Sequence, residues 1–561
     1  MRKTITVIAF CLLVSSFVKA QQYAGYTLVA TQNQLTTLLV DTNGTTFKTW
    51  THASGKKTGY SSYLMPGGTL WRTVARTGNS FNGGPICGEV MKVDYSGTVL
   101  WDFVYSTTQY CTHHDICPLP NGNVLLIAYE LKTSTEVTAA GCSSYSGDMW
   151  PDKIVEVQPT GATTGTVVWE WHVWDHLCQS TNSSGANYVT SIVNNPQLLN
   201  INYNTQKDWM HMNGVGYNPI LDQITVSSHN LNEIYVIDHS TTTAEAASHS
   251  GGNSGKGGDF LYRWGNPAAY GATGTTVMNV VHDAHWIPEG SPNAGRLVYF
   301  NNNGVSQTKS SIDQIIPPVN GYNYDLTLGS AYTPSTYTAR HACNGHAQDM
   351  GNSQQLPNGN MLVCIATSGI IYETNPSGTS IWSKTFSGSV PKAFRYSNCY
   401  INNPAPAIPT ITESLGVLTS SAATTYQWYK NGQLISGETS QTYTPTETAI
   451  YLVRTTDSNG CVYEYSLGYH FTYIPTAVKN IYETSNVLEI YPNPSSNIFN
   501  ITLPSNNINY QVEVYNALGK MILNKSNIKL IDLKDYETGL YFVVFTFENK
   551  EKIIKKISLI K

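Results

Sequence analysis

Between Val280 and Gly304 the chain reads VVHDAHWIPEGSPNAGRLVYFNNNG, with His282, Asp283 and His285 inside four residues just ahead of an apolar run. Imidazole passes between base or nucleophile and acid near neutral pH, so such a turn could line a reaction site; it could equally cap backbone groups. Other histidines sit in similar turns: His211 in DWMHMNGVGYN, His341 and His346 in RHACNGHAQDMGN, and His113 and His114 in CTHHDIC. The last stretch tempts a metal reading, but its spacing fits no common zinc pattern. A local disulfide or a packing role is expected there, and no metal ion or cofactor is expected anywhere. Thirteen of the 14 histidines lie between His52 and His346, so imidazole chemistry belongs to that part of the chain.

The elements that must position these turns recur. LPNGNVLLIAYE from Leu119 returns as LPNGNMLVCIAT from Leu356, with weaker copies at Met65 and Ile287 and YNPILDQITVSS at Tyr217. Each is a tight turn feeding an apolar strand. A second strand–turn–strand unit follows, ending in Trp101, Trp171, Trp264 or Trp382, and a similar half-unit ends at Trp50. Two hairpins per copy make a four-stranded sheet, and six copies predict a six-bladed β-propeller over residues 21–400. A long insertion, about 175–206, is expected over one face, and the tryptophans are expected to pack between blades.

The chain ends read differently. MRKTITVIAFCLLVSSFVKA (residues 1–20) has a basic start, an apolar stretch and a small-residue exit, as a signal peptide does. No run reaches the roughly 20 apolar residues of a membrane-spanning helix, so no transmembrane segment is expected. Removing three basic residues and no acidic one moves the net charge from −5 to −8. That balance argues against a nucleic-acid partner. Export makes disulfides plausible among the nine cysteines left, without fixing their pairing. After the Pro-rich INNPAPAIPT, residues 405–473 resemble the immunoglobulin-like modules of secreted bacterial proteins, expected to share no core with the propeller. Residues 488–561, with YPNP, VYNALGK, GLY and a basic tail, closely resemble the C-terminal sorting domain used by Bacteroidetes-type bacteria for type IX secretion. The fold class is therefore all-β: propeller, sandwich and sorting sandwich.

DWMHMNGVGYN, VVHDAHWIPEG leading into LVYFNNNG, and the Leu356 repeat together resemble the arylsulfotransferase propellers. That resemblance implies a nucleotide-independent enzyme in which a funnel histidine takes the sulfuryl group from an aryl sulfate ester and passes it to a phenol. Further histidines and an arginine assist. His211 and His282 match family catalytic histidines, with His285 a fallback. The nucleophile has no motif match of that quality; His346 is chosen by position, with His341 second. Where the family carries arginine this chain reads VSQTK, so Gln307 or Lys309 takes that place, and Arg340 could supply the missing cation. His113 and His114 are expected at the same axial end, His113 as a substrate contact. The expected partners are an aryl sulfate donor, a phenolic acceptor and the type IX machinery, at the cell surface or secreted. Two rival readings stand beside this: an inactive propeller binding a glycan or aromatic anion, which Gln307 favours, and a pyrroloquinoline-quinone-type enzyme, which lacks its usual blade signature here.

Overall fold

The computed structural model describes residues 21–289, 291–401, 408–457, 462–473, 488–503, 509–517, 519–547 and 552–561. The signal-peptide reading and Cys461 lie outside them.

Six four-stranded antiparallel sheets follow one another. Blade 1 joins Tyr26–Val29, Thr36–Val40 and Thr46–Thr51 to a strand from the far end, Ala393–Tyr396, which pairs Leu28 with Phe394. Blades 2 to 6 are continuous in sequence and open with the strands Thr58–Met65, Tyr110–Pro118, Met212–Asn218, Val281–Trp286 and Asn352–Gln355. These five strands and Ala393–Tyr396 touch in a closed ring, so they are the inner strands around the propeller axis. Closure by one late strand leaves no free inner edge to aggregate.

The tryptophans ending the outer strands explain the repeat's last position. Trp50, Trp101, Trp171 and Trp264 are buried, and each indole N–H donates to a carbonyl of the next blade: Asp94, Thr164, Gly258 and Pro334, at 2.6–2.9 Å. A ring too large to bury within one sheet is shared by two, and its one donor is satisfied across the joint.

Two β-sandwiches follow. In the first, sheets of three and five strands over residues 411–471 enclose Trp428, and Asn431 and Gly432 take the left-handed turn conformations their hairpin requires. Contrary to the expected separation, Tyr429, Leu452 and Tyr465 share an apolar cluster with Ile220 of blade 4. These elements and the propeller form one compact unit. The second sandwich, from Glu489–Tyr491 to Lys552–Leu559, has its own core around Phe499, Val512, Val543 and Phe545. Cys399 is disulfide-bonded, whereas Cys111 and Cys117 are not joined to each other. Cys111 packs instead with Phe81, Tyr129 and Trp150.

Candidate active site at the propeller axis

Four inner strands lose register at the same level. The irregularities fall between Thr58 and Ser62, Thr112 and Ile116, Met212 and Gly214, and His282 and His285. A bulge re-aims side chains, and here it turns consecutive residues toward the axis. The backbone at His114, His211 and Asp283 is left-handed, with φ of 47°, 54° and 56°, a conformation that non-glycine residues hold only where surrounding packing enforces it.

The outcome is a chain of four imidazoles from three blades. Ring centroids of His114 and His211 lie 4.6 Å apart, His211 and His229 5.1 Å, and His229 and His282 5.7 Å. His114 and His282 are buried at the base, while His211 and His229 keep 17% and 26% of their side-chain surface exposed. Solvent therefore reaches the cluster through His211 and His229.

Each ring is oriented by a specific partner. His211 Nδ1 lies 2.7 Å from Asp208 Oδ2, and the Tyr129 hydroxyl donates to the same carboxylate oxygen at 3.1 Å. Burial would raise the Asp208 carboxyl, but the hydrogen bond and charge of His211 outweigh it and hold the group below the usual range. Asp208 thus accepts the Nδ1 proton, and Nε2 of His211 has no hydrogen-bond partner among the described residues. His229 Nδ1 donates to Asn230 Oδ1 at 2.8 Å; the Asn230 amide nitrogen is committed to the Asp208 carbonyl, which fixes that orientation.

His282 answers the question posed by its neighbours. Asn302 uses its Nδ2 to donate to the Ala347 and Met350 carbonyls, so its Oδ1 must accept from His282 Nδ1, at 2.7 Å. The Met350 N–H then donates to His282 Nε2 at 3.2 Å, and both ring nitrogens are occupied. Burial keeps the ring neutral by lowering its pKa well below the usual value. Asp283 turns the other way, toward Lys392, and His285 is held by Asp283 through the backbone oxygen at 2.9 Å and the carboxylate at 3.2 Å.

His113 and His114 form a relay with Asp152. His113 Nε2 lies 2.8 Å from Asp152 Oδ1, its Nδ1 lies 2.7 Å from His114 Nδ1, and its ring stacks on Tyr129 at 3.6 Å. Burial pushes both histidines well down and Asp152 well up, with the Asp208 charge adding to the latter. Moving a proton along this file switches His114 Nε2 between donor and acceptor. Beside it, at 5.0 Å between rings, Tyr60 carries a buried hydroxyl with no partner among the described residues. Burial raises its pKa well above the usual value, so it remains a donor.

Next to the histidines sits a buried ion triad. Lys392 Nζ lies 2.5 Å from Asp115 Oδ2 and 2.6 Å from Asp283 Oδ1. Asp115 also accepts from the Tyr63 hydroxyl and the Val215 N–H, and Asp283 from the Ser353 N–H. Tyr63, Asp115, Val215, Asp283 and Ser353 belong to the inner strands of blades 2 to 6, and Lys392 immediately precedes the inner strand of blade 1, so one network ties all six.

Four residues expected at the site by sequence position stand elsewhere. Arg340 lies on the outermost strand of blade 5, where its guanidinium pairs with Asp313 at 2.6 and 2.7 Å, donates to the Gly304 carbonyl and stacks on Tyr337. It fastens that blade. Gln307 and Lys309 are exposed on the hairpin between Leu297–Ser306 and Lys309–Ile315. His341 bonds the Tyr372 hydroxyl on the same outer strand as Arg340. His346 donates from Nε2 to Asn303 Oδ1 at 2.9 Å, next to the asparagine that orients His282. His229 was missed: the repeat YNPILDQITVSS, continued by one residue, ends on it. In blade 3 the corresponding strand end carries Tyr129, whose ring stacks on His113.

An all-β propeller with an axial histidine cluster is the class that fold and site define. Residues 17–397 match the arylsulfotransferase (ASST) family model, and the chain belongs to that family of sulfotransferases. Residues 489–560 match a secretion system C-terminal sorting domain, so the protein is exported to the cell surface or secreted. No helix among the described residues is long and apolar enough to cross a membrane. No curated protein matches. Solved structures similar to the chain include a protein of unknown function from Bacteroides caccae, 10% identical with a TM-score of 0.39, covering 66% of this chain and 98% of that one. Another is a putative 6-phosphogluconolactonase from Bacteroides fragilis, 10% identical with a TM-score of 0.33, covering 67% and 98%.

Proposed function

We propose that this protein moves a sulfuryl group from an aryl sulfate ester to a phenol through a sulfated histidine, and that His211 is the residue sulfated. The contact that carries the reading is Asp208 to His211 Nδ1 at 2.7 Å, which leaves Nε2 as the lone pair at the mouth of the cluster. Nε2 attacks sulfur, the sulfur–oxygen bond to the aryl group breaks, and the departing phenolate takes a solvent proton passed through His229, the partly exposed ring beside His211 whose pKa burial and the His211 charge hold down. In the second half the acceptor phenol gives its proton back to that imidazole, its oxygen attacks sulfur, and the nitrogen–sulfur bond breaks.

Donors around an oxyanion matter most where charge develops. His114 Nε2, in the relay state that carries the proton there, and the Tyr60 hydroxyl serve the sulfuryl oxygens. They replace the guanidinium that family members supply. His282 holds Met350 and Asn302 in place and serves as a positioning residue in this conformation. His346, favoured by sequence position, is the alternative nucleophile once Asn303 lets go. In this reading residues 1–20 are a secretion signal and residues 405–473 an immunoglobulin-like module.

The test is transfer from p-nitrophenyl sulfate to phenol by the secreted protein. Release of p-nitrophenol that depends on added phenol supports the reading. Tight binding of the ester without turnover would favour the inactive, anion-binding propeller.

A further inference from the structure

A second group of histidines gathers at the rim, between the outer strands of blades 3 and 4. His176 follows the last strand of blade 3, and Asp259 precedes Tyr262–Trp264, the last strand of blade 4. His249 belongs to the loop between them, which reads SHSGGNSGKGGD from Ser248 to Asp259. One ligand atom from each lies within 4.8 Å of the others. His176 Nδ1 is 2.9 Å, and His249 Nδ1 2.7 Å, from the same oxygen, Asp259 Oδ1.

Both ring nitrogens of His176 are committed within this cluster. Its Nε2 lies 2.8 Å from the Ala246 carbonyl, which can only accept, so Nε2 carries the proton. In the neutral ring Nδ1 is then a lone pair aimed at a carboxylate oxygen, both of them buried. Two acceptors at that distance repel unless something positive lies between them. A second proton on His176 would serve, but it gives no reason for a second histidine to converge on the same oxygen.

We propose that His176, His249 and Asp259 bind a divalent transition metal, zinc being the ion their chemistry fits. Two imidazoles and a carboxylate are a borderline ligand set for it, and water completes a tetrahedron. The contact from Nε2–H to a backbone carbonyl is the usual second partner of a metal-bound histidine. Trp171 lies parallel to the His176 ring at 5.7 Å and 6°, fixing its plane. His249, 61% exposed, gives the ion an entrance. Metal–ligand bonds of about 2.0–2.2 Å place tetrahedral ligands roughly 3.3 Å apart, so the contacts of 2.9 and 2.7 Å to Asp259 have to lengthen and the ligand atoms, now within 4.8 Å of one another, have to even out around the ion. The metal clips a loop that is costly to order, since Gly251, Gly252, Gly255 and Gly257 all hold positive φ.

The experiment titrates the chelator-stripped full chain with Zn²⁺ and, separately, Co²⁺, in wild type and in His249→Ala, an exposed change that spares folding. Because the axial histidines can also take metal, the readout is the difference between the two proteins. Wild type should bind one equivalent more, show a tetrahedral Co²⁺ visible band that the variant lacks, and gain melting temperature with Zn²⁺ where the variant gains none. Zn²⁺ affinity at this site should fall at least about tenfold in His249→Ala, with p-nitrophenyl sulfate turnover unchanged. Equal uptake and equal Co²⁺ spectra in the two proteins overturn the site. So does a doubly protonated His176, seen by NMR and indifferent to Zn²⁺.

Discussion

Asp208 Oδ2 stands 2.7 Å from His211 Nδ1, and this single contact decides which nitrogen of His211 is free to react. Asp208→Asn keeps the shape and removes the charge. An amide can present its NH₂ to Nδ1 and drive the ring proton to Nε2, where it blocks attack. Turnover with p-nitrophenyl sulfate should fall by about 10²–10⁴, with little change in melting temperature. Unchanged turnover would show that His211 does not depend on this tautomer.

Lys392 is the central cation of the buried triad, and removing it strands Asp115 and Asp283. Lys392→Met should destabilise the propeller by about 3–5 kcal/mol. Adding Asp115→Asn should recover part of that loss, because one uncompensated charge is gone. Denaturation midpoints of the two single variants and the double variant give the coupling. Strictly additive losses would mean that the triad is no unit.

Stability should be dome-shaped in pH. Burial lowers His52, to about 3 with the Arg72 charge adding, and lowers His113, His114 and His282 as well. The unfolded chain takes these protons near pH 6.5, so it binds more of them in acid and stability falls from there toward about pH 3. His239 runs the other way. Burial would lower it, but Asp222 at 2.7 Å and Glu156 at 3.0 Å outweigh burial and raise it to about 9. Its contribution is complete below about pH 6.5 and fades as pH rises through 9. His239→Gln should flatten the alkaline limb and leave the acid limb alone. An alkaline limb equal to that of wild type would contradict this.

The fold was legible because its units are local. A hairpin turn, an apolar strand and a closing tryptophan all lie within one stretch of chain, and the indole's partner in the next blade follows from the repeat. The site was only partly legible because its contacts are not local. His211 and His282 stood out in turns of their own, yet what each nitrogen does depends on Asp208, Asn302 and Met350, up to 68 residues away. His229 ends an ordinary strand, and only the bulged inner strands show that such ends reach the axis. Arg340 drew attention as the nearby cation, but strand order puts it on the outer edge, opposite Asp313. The cation that does reach the axis, Lys392, comes from the far end of the propeller and is consumed by two carboxylates.

The central claim is that His211 carries the sulfuryl group, and intact mass spectrometry with peptide mapping after a pulse of p-nitrophenyl sulfate, without acceptor, tests it most directly. Wild type and His346→Ala should each gain one sulfuryl mass, located on the peptide bearing His211, and phenol should discharge it. His211→Ala should gain none. A sulfuryl group that still accumulates in His211→Ala, or that maps to His346 in wild type, contradicts the account.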